Sequence, residues 1–156
     1  MKKYKPYIIS ILIALLVGGL SALSTKGSMD IYKTLNSPPL SPPSILFPIV
    51  WSILFVLMGI SSALVYVKGT NEGMDIKKGL SLYLVNLIMN FLWSIIFFNL
   101  RMYLFSAIWL VGLIVVIYLM IIEFKKISPI SAYLQIPYLL WCLFALYLNI
   151  GIYLLN

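Results

Sequence analysis

Residues 103–122 read YLFSAIWLVGLIVVIYLMII, a run of 20 residues without a charged side chain. A helix that crosses a lipid bilayer needs about 20 predominantly apolar residues, so this run is long enough to span one. Its apolar residues are continuous rather than alternating, which favours a helix over a strand of a membrane barrel. The sequence therefore predicts a transmembrane helix over 103–122.

Four further stretches of the chain have the same character. Together, the five predicted transmembrane helices cover approximately residues 7–25, 45–67, 80–100, 103–122 and 131–155. The first stretch follows several lysines, as in a signal peptide, but it is long for that role, and Ala14, Gly18 and Ala22 repeat at the spacing of packed membrane helices. We therefore expect an all-α integral membrane protein, a single domain over 1–156 folded as a five-helix bundle.

The composition excludes several other classes of protein. Hydrophobic residues make up 63% of the chain and charged residues 10%, whereas a soluble domain averages about 45–50% and about 25%. This disfavours a soluble enzyme, a disordered chain and a nucleic-acid-binding module. The chain has no histidine, and its four carboxylates, Asp30, Glu72, Asp75 and Glu123, fall in loops or at a helix end. We therefore expect no metal site, no carboxylate pair inside the membrane and no ion-coupled transport.

The 11 basic residues are distributed unevenly between the two ends of the predicted bundle. Eight lie at the N-terminus and in the loops 68–79 and 123–130: Lys2, Lys3, Lys5, Lys68, Lys77, Lys78, Lys125 and Lys126. Three lie at the other end: Lys26, Lys33 and Arg101. Because basic residues are enriched in cytoplasmic loops, this bias predicts a cytoplasmic N-terminus and an outside C-terminus in a plasma membrane.

The longest predicted loop, residues 26–44, ends in the proline-rich sequence SPPLSPPS at 37–44. Proline fixes φ and lacks an N–H, so this stretch should be stiff and non-helical. A stiff loop across one end of a bundle is suited to be a lid over a site, or a plain connector between two helices. The sequence alone leaves both alternatives open.

Polar and aromatic residues within the predicted helices are the candidates for a site. Asn86, Asn90 and Ser94 form one polar stripe, and for Asn86 and Asn149 we favour hydrogen bonding between helices, worth about 1 kcal/mol or less per bond. Trp51 and Trp141 each share a helix face with a small residue, which leaves room beside the indole. These two faces could line a slot for a flat apolar ligand, or they could be ordinary core packing.

Three blocks of sequence together resemble the TspO/MBR family, the tryptophan-rich sensory proteins and translocator proteins (also called peripheral benzodiazepine receptors), in a bacterial version. The first combines Tyr32 with PPLSPP at 38–43 and FPIVW at 47–51. The second is NFLWSIIFF at 90–98, and the third is PYLLW at 137–141 followed by Ala145 and Asn149. The blocks occur in the family's order and extend the resemblance over nearly the whole chain.

The resemblance implies a five-helix bundle that forms a homodimer in the bacterial cell membrane, with a ligand pocket under the first loop. Its implied ligands are porphyrins, notably protoporphyrin IX, and isoquinoline or benzodiazepine-type molecules, in tetrapyrrole regulation or stress. Membrane lipid is a further partner, but the C-terminal tail lacks the basic residue of the family's cholesterol motif, so specific cholesterol binding is not expected. The matching pocket positions are Tyr32, Pro42, Trp51, Phe55, Asn90, Trp93, Trp141 and Ala145.

The resemblance also implies light- and oxygen-dependent porphyrin degradation, with Trp51 and Trp141 as the candidate catalytic residues. The porphyrin is then ligand or substrate, and no cofactor is required, because the macrocycle itself absorbs light. Asn90 and Trp93 are expected to offer it hydrogen bonds, and its propionates to lie near Lys26 or Lys33. Two other functions remain open: a transporter of porphyrin or lipid, and a non-catalytic sensor or assembly partner.

Overall fold

The computed structural model describes residues 3–156, and this part of the chain contains helices and no strands. Lys2, counted above among the basic residues, lies outside the described residues. Six α-helices follow one another: α1 Lys5–Thr25, α2 Met29–Thr34, α3 Leu46–Asn71, α4 Lys77–Ser94, α5 Tyr103–Ile127 and α6 Pro129–Leu155. A 3-10 turn, Lys26–Ser28, joins α1 to α2, and a π-helical turn, Ile95–Asn99, extends α4.

Five helical segments are long and apolar enough to cross a membrane, which confirms the predicted all-α membrane protein. Their bounds differ from the predicted ones by a few residues. α3 continues to Asn71 and α5 to Ile127, because a helix keeps its internal hydrogen bonds in water after the apolar stretch has ended. In the last turn of α5, Lys125 and Lys126 also suit the negative end of the helix dipole.

The long helices form a closed ring in the order α1, α3, α6, α5 and α4, with α4 packed back against α1. The core lies between α3, α4, α5 and α6, which contribute nearly all the buried side chains. α1 buries only Ala14 and Thr25 and is the peripheral member of the ring. Most of its surface is therefore left to face lipid.

α1 and α3 approach each other closely because small residues line their contact. Ala14 is fully buried, and Gly18 faces the ring of Phe55. On the opposite side, a Cβ atom added at Gly59 would lie 2.5 Å from the Ile11 Cα atom. Small residues at every fourth position allow such backbone approach in membranes, so the repeat in α1 serves packing within the chain.

The two ends of the bundle carry different loops and charges. At one end, Glu123 lies 2.8 Å from Lys126 Nζ and 3.9 Å from Lys78 Nζ, so the start of α4 and the last turns of α5 meet there. At the other end, Asn36 is hydrogen-bonded to Asn156, so α2, the proline-rich loop and the C-terminus meet. For the described residues, the loops thus lie at the two ends of the bundle to which the sequence analysis assigned them.

Replacing Gly59 with alanine should separate α1 from α3 and lower stability by about 1–3 kcal/mol, because the new methyl group meets helix backbone. Gly19→Ala is the matched control, since nothing lies within 4 Å of a Cβ atom added there. Thermal melting of the detergent-solubilised protein measures both. Equal melting temperatures for the two variants would contradict the close contact.

Candidate ligand-binding cavity

A cavity of about 470 Å³ lies between α1, α3, α4 and α6, at the end of the bundle that carries α2. This volume is within the range of pockets that hold drug-sized ligands. Eight aromatic residues are among those that line it: Tyr32, Phe47, Trp51, Phe55, Trp93, Phe97, Phe98 and Trp141. Such walls suit a flat, apolar molecule that can stack on rings or meet their edges.

The structure brings seven of the eight residues predicted for the site to this cavity: Tyr32, Trp51, Phe55, Asn90, Trp93, Trp141 and Ala145. Pro42 is not on the cavity wall. The proline-rich loop contacts the end of α6: Tyr147 Oη donates to the Pro39 carbonyl at 2.6 Å, and Pro38 packs on Gly151. Pro42 lies in the segment that returns from there to α3, outside the lining.

Trp51 and Trp141 lie side by side on the wall. Their ring centroids are 6.5 Å apart and the rings are nearly perpendicular, at 88°. Trp51 also contacts Phe55 and Tyr138, with centroids 5.7 and 6.1 Å away. The buried indole N–H of Trp141 has no hydrogen-bond partner among residues 3–156.

The polar groups at the cavity floor bond mainly to each other. Asn90 donates its amide N–H to Tyr138 Oη at 2.8 Å, and Trp93 donates its indole N–H to Asn149 Oδ1 at 3.1 Å. Asn149 also accepts from Ser106 Oγ and donates to the Tyr103 carbonyl. The predicted interhelical role of Asn149 is confirmed. The expectation that Trp93 offers its N–H to a ligand is wrong in this structure, because Asn149 already accepts it.

The segment between α1 and α3 covers the cavity. Tyr32 of α2 lies on the cavity wall, with its ring centroid 6.0 Å from Phe97 and 5.4 Å from Phe98. Ser28 Oγ donates to Asn99 Oδ1 at 2.6 Å, which fastens the start of α2 to the end of α4. These contacts favour a lid over a plain connector.

Phe97 and Phe98 were missed as site residues, although they lie within a block that resembles the family. Adjacent residues on an α-helix diverge by about 100°, so regular helix geometry does not predict that both line one cavity. The π-helical turn Ile95–Asn99 alters this spacing. Turns of this kind occur often at functional sites.

The cavity opens sideways between α1 and α3. Gly19 and Ala22 of α1 and Pro48 and Ser52 of α3 all line the cavity and are exposed. Because these helices are apolar and long enough to cross a membrane, this opening is at the height of the bilayer. Lys26 is the one charged residue among the described lining residues, whereas Lys33 is exposed and lies off the wall.

Comparison with known proteins agrees with this architecture. The model of the TspO/MBR family matches residues 10–155. The chain belongs to the TspO/MBR family. It is 36% identical over 136 residues to the tryptophan-rich protein TspO of Chlorobaculum tepidum, covering 87% of this chain and 85% of that protein.

Other members of the TspO/MBR family are similar over most of the chain. The tryptophan-rich protein TspO of Archaeoglobus fulgidus is 34% identical over 150 residues, which is 96% of this chain and 95% of that one. The translocator protein of Ovis aries is 31% identical over 120 residues, covering 76% and 70%. Family membership supports an integral membrane protein of TspO type and, in general terms, one that binds ligands.

Replacing Asn149 with leucine should lower stability by about 1–3 kcal/mol, because the Trp93 N–H and the Ser106 hydroxyl then lose their shared buried acceptor. Ser106→Ala is the control: it removes one donor and leaves the acceptor in use, so its loss should be smaller, about 0.6 kcal/mol. Both are compared with the parent by thermal melting in detergent. The network is contradicted if Asn149→Leu melts no lower than Ser106→Ala.

Proposed function

We propose that this TspO/MBR protein binds protoporphyrin IX, or a closely related metal-free tetrapyrrole, in the cavity under α2, in tetrapyrrole regulation or a stress response. The observation that carries the proposal is the aromatic enclosure, in which Trp51 and Trp141 stand perpendicular at 6.5 Å and Tyr32 closes the top. A flat macrocycle has apolar faces and edges that match such walls. Isoquinoline and benzodiazepine-type molecules share this flat, apolar character and are proposed as further ligands.

A metal-free porphyrin is the more natural ligand than haem. The chain has no histidine, the commonest proximal ligand of haem iron. Its single thiol, Cys142, is fully buried and does not line the cavity. Met29 and Tyr32 are lining residues whose sulfur and hydroxyl oxygen could bind iron, and both lie in α2.

The binding proposal is tested by titrating the detergent-purified protein with protoporphyrin IX in the dark, following tryptophan fluorescence. Energy transfer to a bound macrocycle should quench the emission saturably, since three of the four tryptophans, Trp51, Trp93 and Trp141, line the cavity. Quenching that rises linearly with porphyrin, without saturation, would contradict a defined site.

The propionates of the porphyrin should point toward Lys26 at the cavity mouth. Lys26→Ala should weaken binding about two- to fivefold, the scale of an exposed ion pair. It should leave binding of the neutral dimethyl ester of protoporphyrin IX unchanged. Lys33→Ala is the matched control, because Lys33 lies off the cavity wall. If both variants bind the diacid with the parent's affinity, the propionates lie elsewhere.

We propose further that the bound porphyrin is degraded in light, with dioxygen as the oxidant and the indoles of Trp51 and Trp141 as the reacting side chains. The proximity of both indoles within one cavity supports this role. Absorption of light by the macrocycle supplies the driving energy, and the protein holds an oxidisable ring beside it and excludes bulk water. Such chemistry needs no acid, base or metal from the chain.

Trp51→Phe or Trp141→Phe should slow the loss of porphyrin absorbance under illumination by more than it weakens binding. Phenylalanine keeps most of the aromatic packing, so the dissociation constant should rise by about tenfold at most. Both quantities are measured on the same samples at saturating porphyrin. Equal degradation rates in parent and variants under identical light would contradict a photochemical role for the indoles.

Transport across the bilayer is less well supported than binding. Leu54 and Tyr138, one turn from Trp51 and Trp141 on the same helices, are buried in the core, which favours binding over passage through the bundle. The cytoplasmic N-terminus, the homodimer and the alternative role as a sensor or assembly partner stay predictions.

A further inference from the structure

The proline-rich loop, residues 37–44, runs along α6 toward the middle of the bundle. Just before it, Asn36 is hydrogen-bonded to Asn156, the residue that follows α6. Pro38 is buried against Gly151, where an added Cβ atom would lie 2.5 Å from the proline ring. Five residues of an α-helix rise about 7.5 Å, so the chain has descended by this distance at the second residue of the loop.

The descent continues as far as Tyr147, one turn below Gly151. Tyr147 Oη donates to the Pro39 carbonyl at 2.6 Å. The other end of the loop is equally low, because the Phe47 ring, in the first turn of α3, meets the Trp141 ring at 5.9 Å between centroids. The tip of the loop therefore lies about 13 Å below the end of α6.

This depth places the loop tip at the edge of the bilayer. Lys125 and Lys126 precede α6 in the chain and belong at the level of the headgroups, so the hydrocarbon region begins near Pro129. A hydrocarbon core of about 30 Å extends about 20 residues along a helix, which is as far as Asn149. Tyr147 lies just inside this limit. The tip that it holds is thus at the boundary between headgroups and acyl chains.

The surface around the loop tip is apolar. One face of α6 carries a row of exposed apolar and aromatic side chains at helical spacing: Leu143, Tyr147, Ile150 and Leu154. At the tip of the loop, Leu40 is 84% exposed. Leu40 follows Pro39, which is bonded to Tyr147 of this row. The tip therefore continues the lipid-facing surface of α6.

The backbone of the loop is suited to this place. Irregular backbone is excluded from lipid when its N–H and C=O groups are unpaired. Four of the six residues 38–43 are prolines, which have no N–H. The carbonyls of Pro38 and Pro39 accept from Ser41 Oγ at 2.7 Å and from Tyr147 Oη. The two N–H groups that remain in this stretch can pair with water at the headgroups.

Leu40 is an unusual residue for the tip of a loop in water. Its φ of +70° lies in the left-handed region, which residues other than glycine, asparagine and aspartate seldom adopt. A polar residue or glycine would relieve both the strain and the exposure of apolar surface. Contact with acyl chains instead stabilises an apolar side chain, by about 0.8 kcal/mol for each buried CH₂. A leucine at this position therefore indicates contact with lipid.

We propose that the tip of the proline-rich loop is a membrane-contact site, in which Leu40 inserts among the acyl chains at the headgroup boundary. The partner is the phospholipid leaflet at the end of the bundle that carries α2. Insertion fastens the segment that covers the cavity to the bilayer, in addition to its hydrogen bonds with α6.

The proposal is tested with a nitroxide spin label on Leu40→Cys, in the full-length protein in phospholipid nanodiscs. Power saturation compares collisions with oxygen, which concentrates in lipid, and with a polar nickel chelate, which stays in water. Leu140→Cys, at a position 59% exposed on α6, is the lipid reference. Lys33→Cys, exposed at the same end of the bundle as the loop, is the water reference. The parent protein is the labelling blank, because its one cysteine, Cys142, is buried.

The label at position 40 should collide with the nickel chelate less often than the label at position 33, by about threefold or more, because a polar solute enters acyl chains poorly. Its ratio of oxygen to nickel collisions should be shifted toward that of position 140. Equal nickel accessibility at positions 40 and 33 would place the tip in water and overturn the proposal. Low accessibility to both reagents would mean that protein covers Leu40, which would also overturn it.

A second variant tests how the tip is held at this depth. Tyr147→Phe removes the hydroxyl that binds the Pro39 carbonyl, so the nickel accessibility of the label at position 40 should rise toward that of position 33. Tyr133→Phe, at a position 60% exposed on the same helix, is the matched control and should leave it unchanged. No rise in Tyr147→Phe would overturn the role of this hydrogen bond. No ligand is added, so these results are independent of porphyrin binding.

Discussion

The hydrogen bonds between α4 and α6 are the interaction on which the site depends. Asn90 to Tyr138 and Trp93 to Asn149 span the bundle between two helices that are not neighbours in the ring. Within the bilayer, these polar side chains cannot hydrogen-bond to water. They avoid a large desolvation cost by hydrogen-bonding to each other inside the protein. The same bonds form the polar floor of the cavity.

The cavity above this floor follows from three further constraints. Small residues at Gly18 and Gly59 bring α1 and α3 together in the middle of their contact, while beyond it the two helices leave an opening toward lipid. The π-helical turn places Phe97 and Phe98 under Tyr32. Hydrogen bonds at Ser28, Asn36 and Tyr147 hold the covering segment at both of its ends. The result is a cavity with aromatic residues on its wall, covered by the segment between α1 and α3 and open between these two helices.

Much of this arrangement could be predicted from the sequence. The five helices were predicted from continuous apolar runs, because a segment that crosses lipid must be apolar along its length. Trp51, Asn90 and Trp141 were predicted from the three sequence blocks that resemble the family. The position of Pro42 could not be predicted, since it depends on where the loop meets α6. The pairing of the Trp93 indole with Asn149 was also missed. It depends on the relative height of α4 and α6 in the bundle, because the two bonded residues are 56 positions apart in the chain.

The central claim is that a ligand occupies the space beside Trp141, and Ala145→Phe tests it most directly. Ala145 lines the cavity one turn after Trp141, so a phenyl ring at position 145 would occupy the space in the cavity beside Trp141. Leu140→Phe, at a position 59% exposed on the same helix, is the control. The account predicts that Ala145→Phe loses saturable binding of protoporphyrin IX in the dark while keeping the parent's melting temperature, and that Leu140→Phe binds normally. Binding by folded Ala145→Phe with the parent's affinity would contradict it.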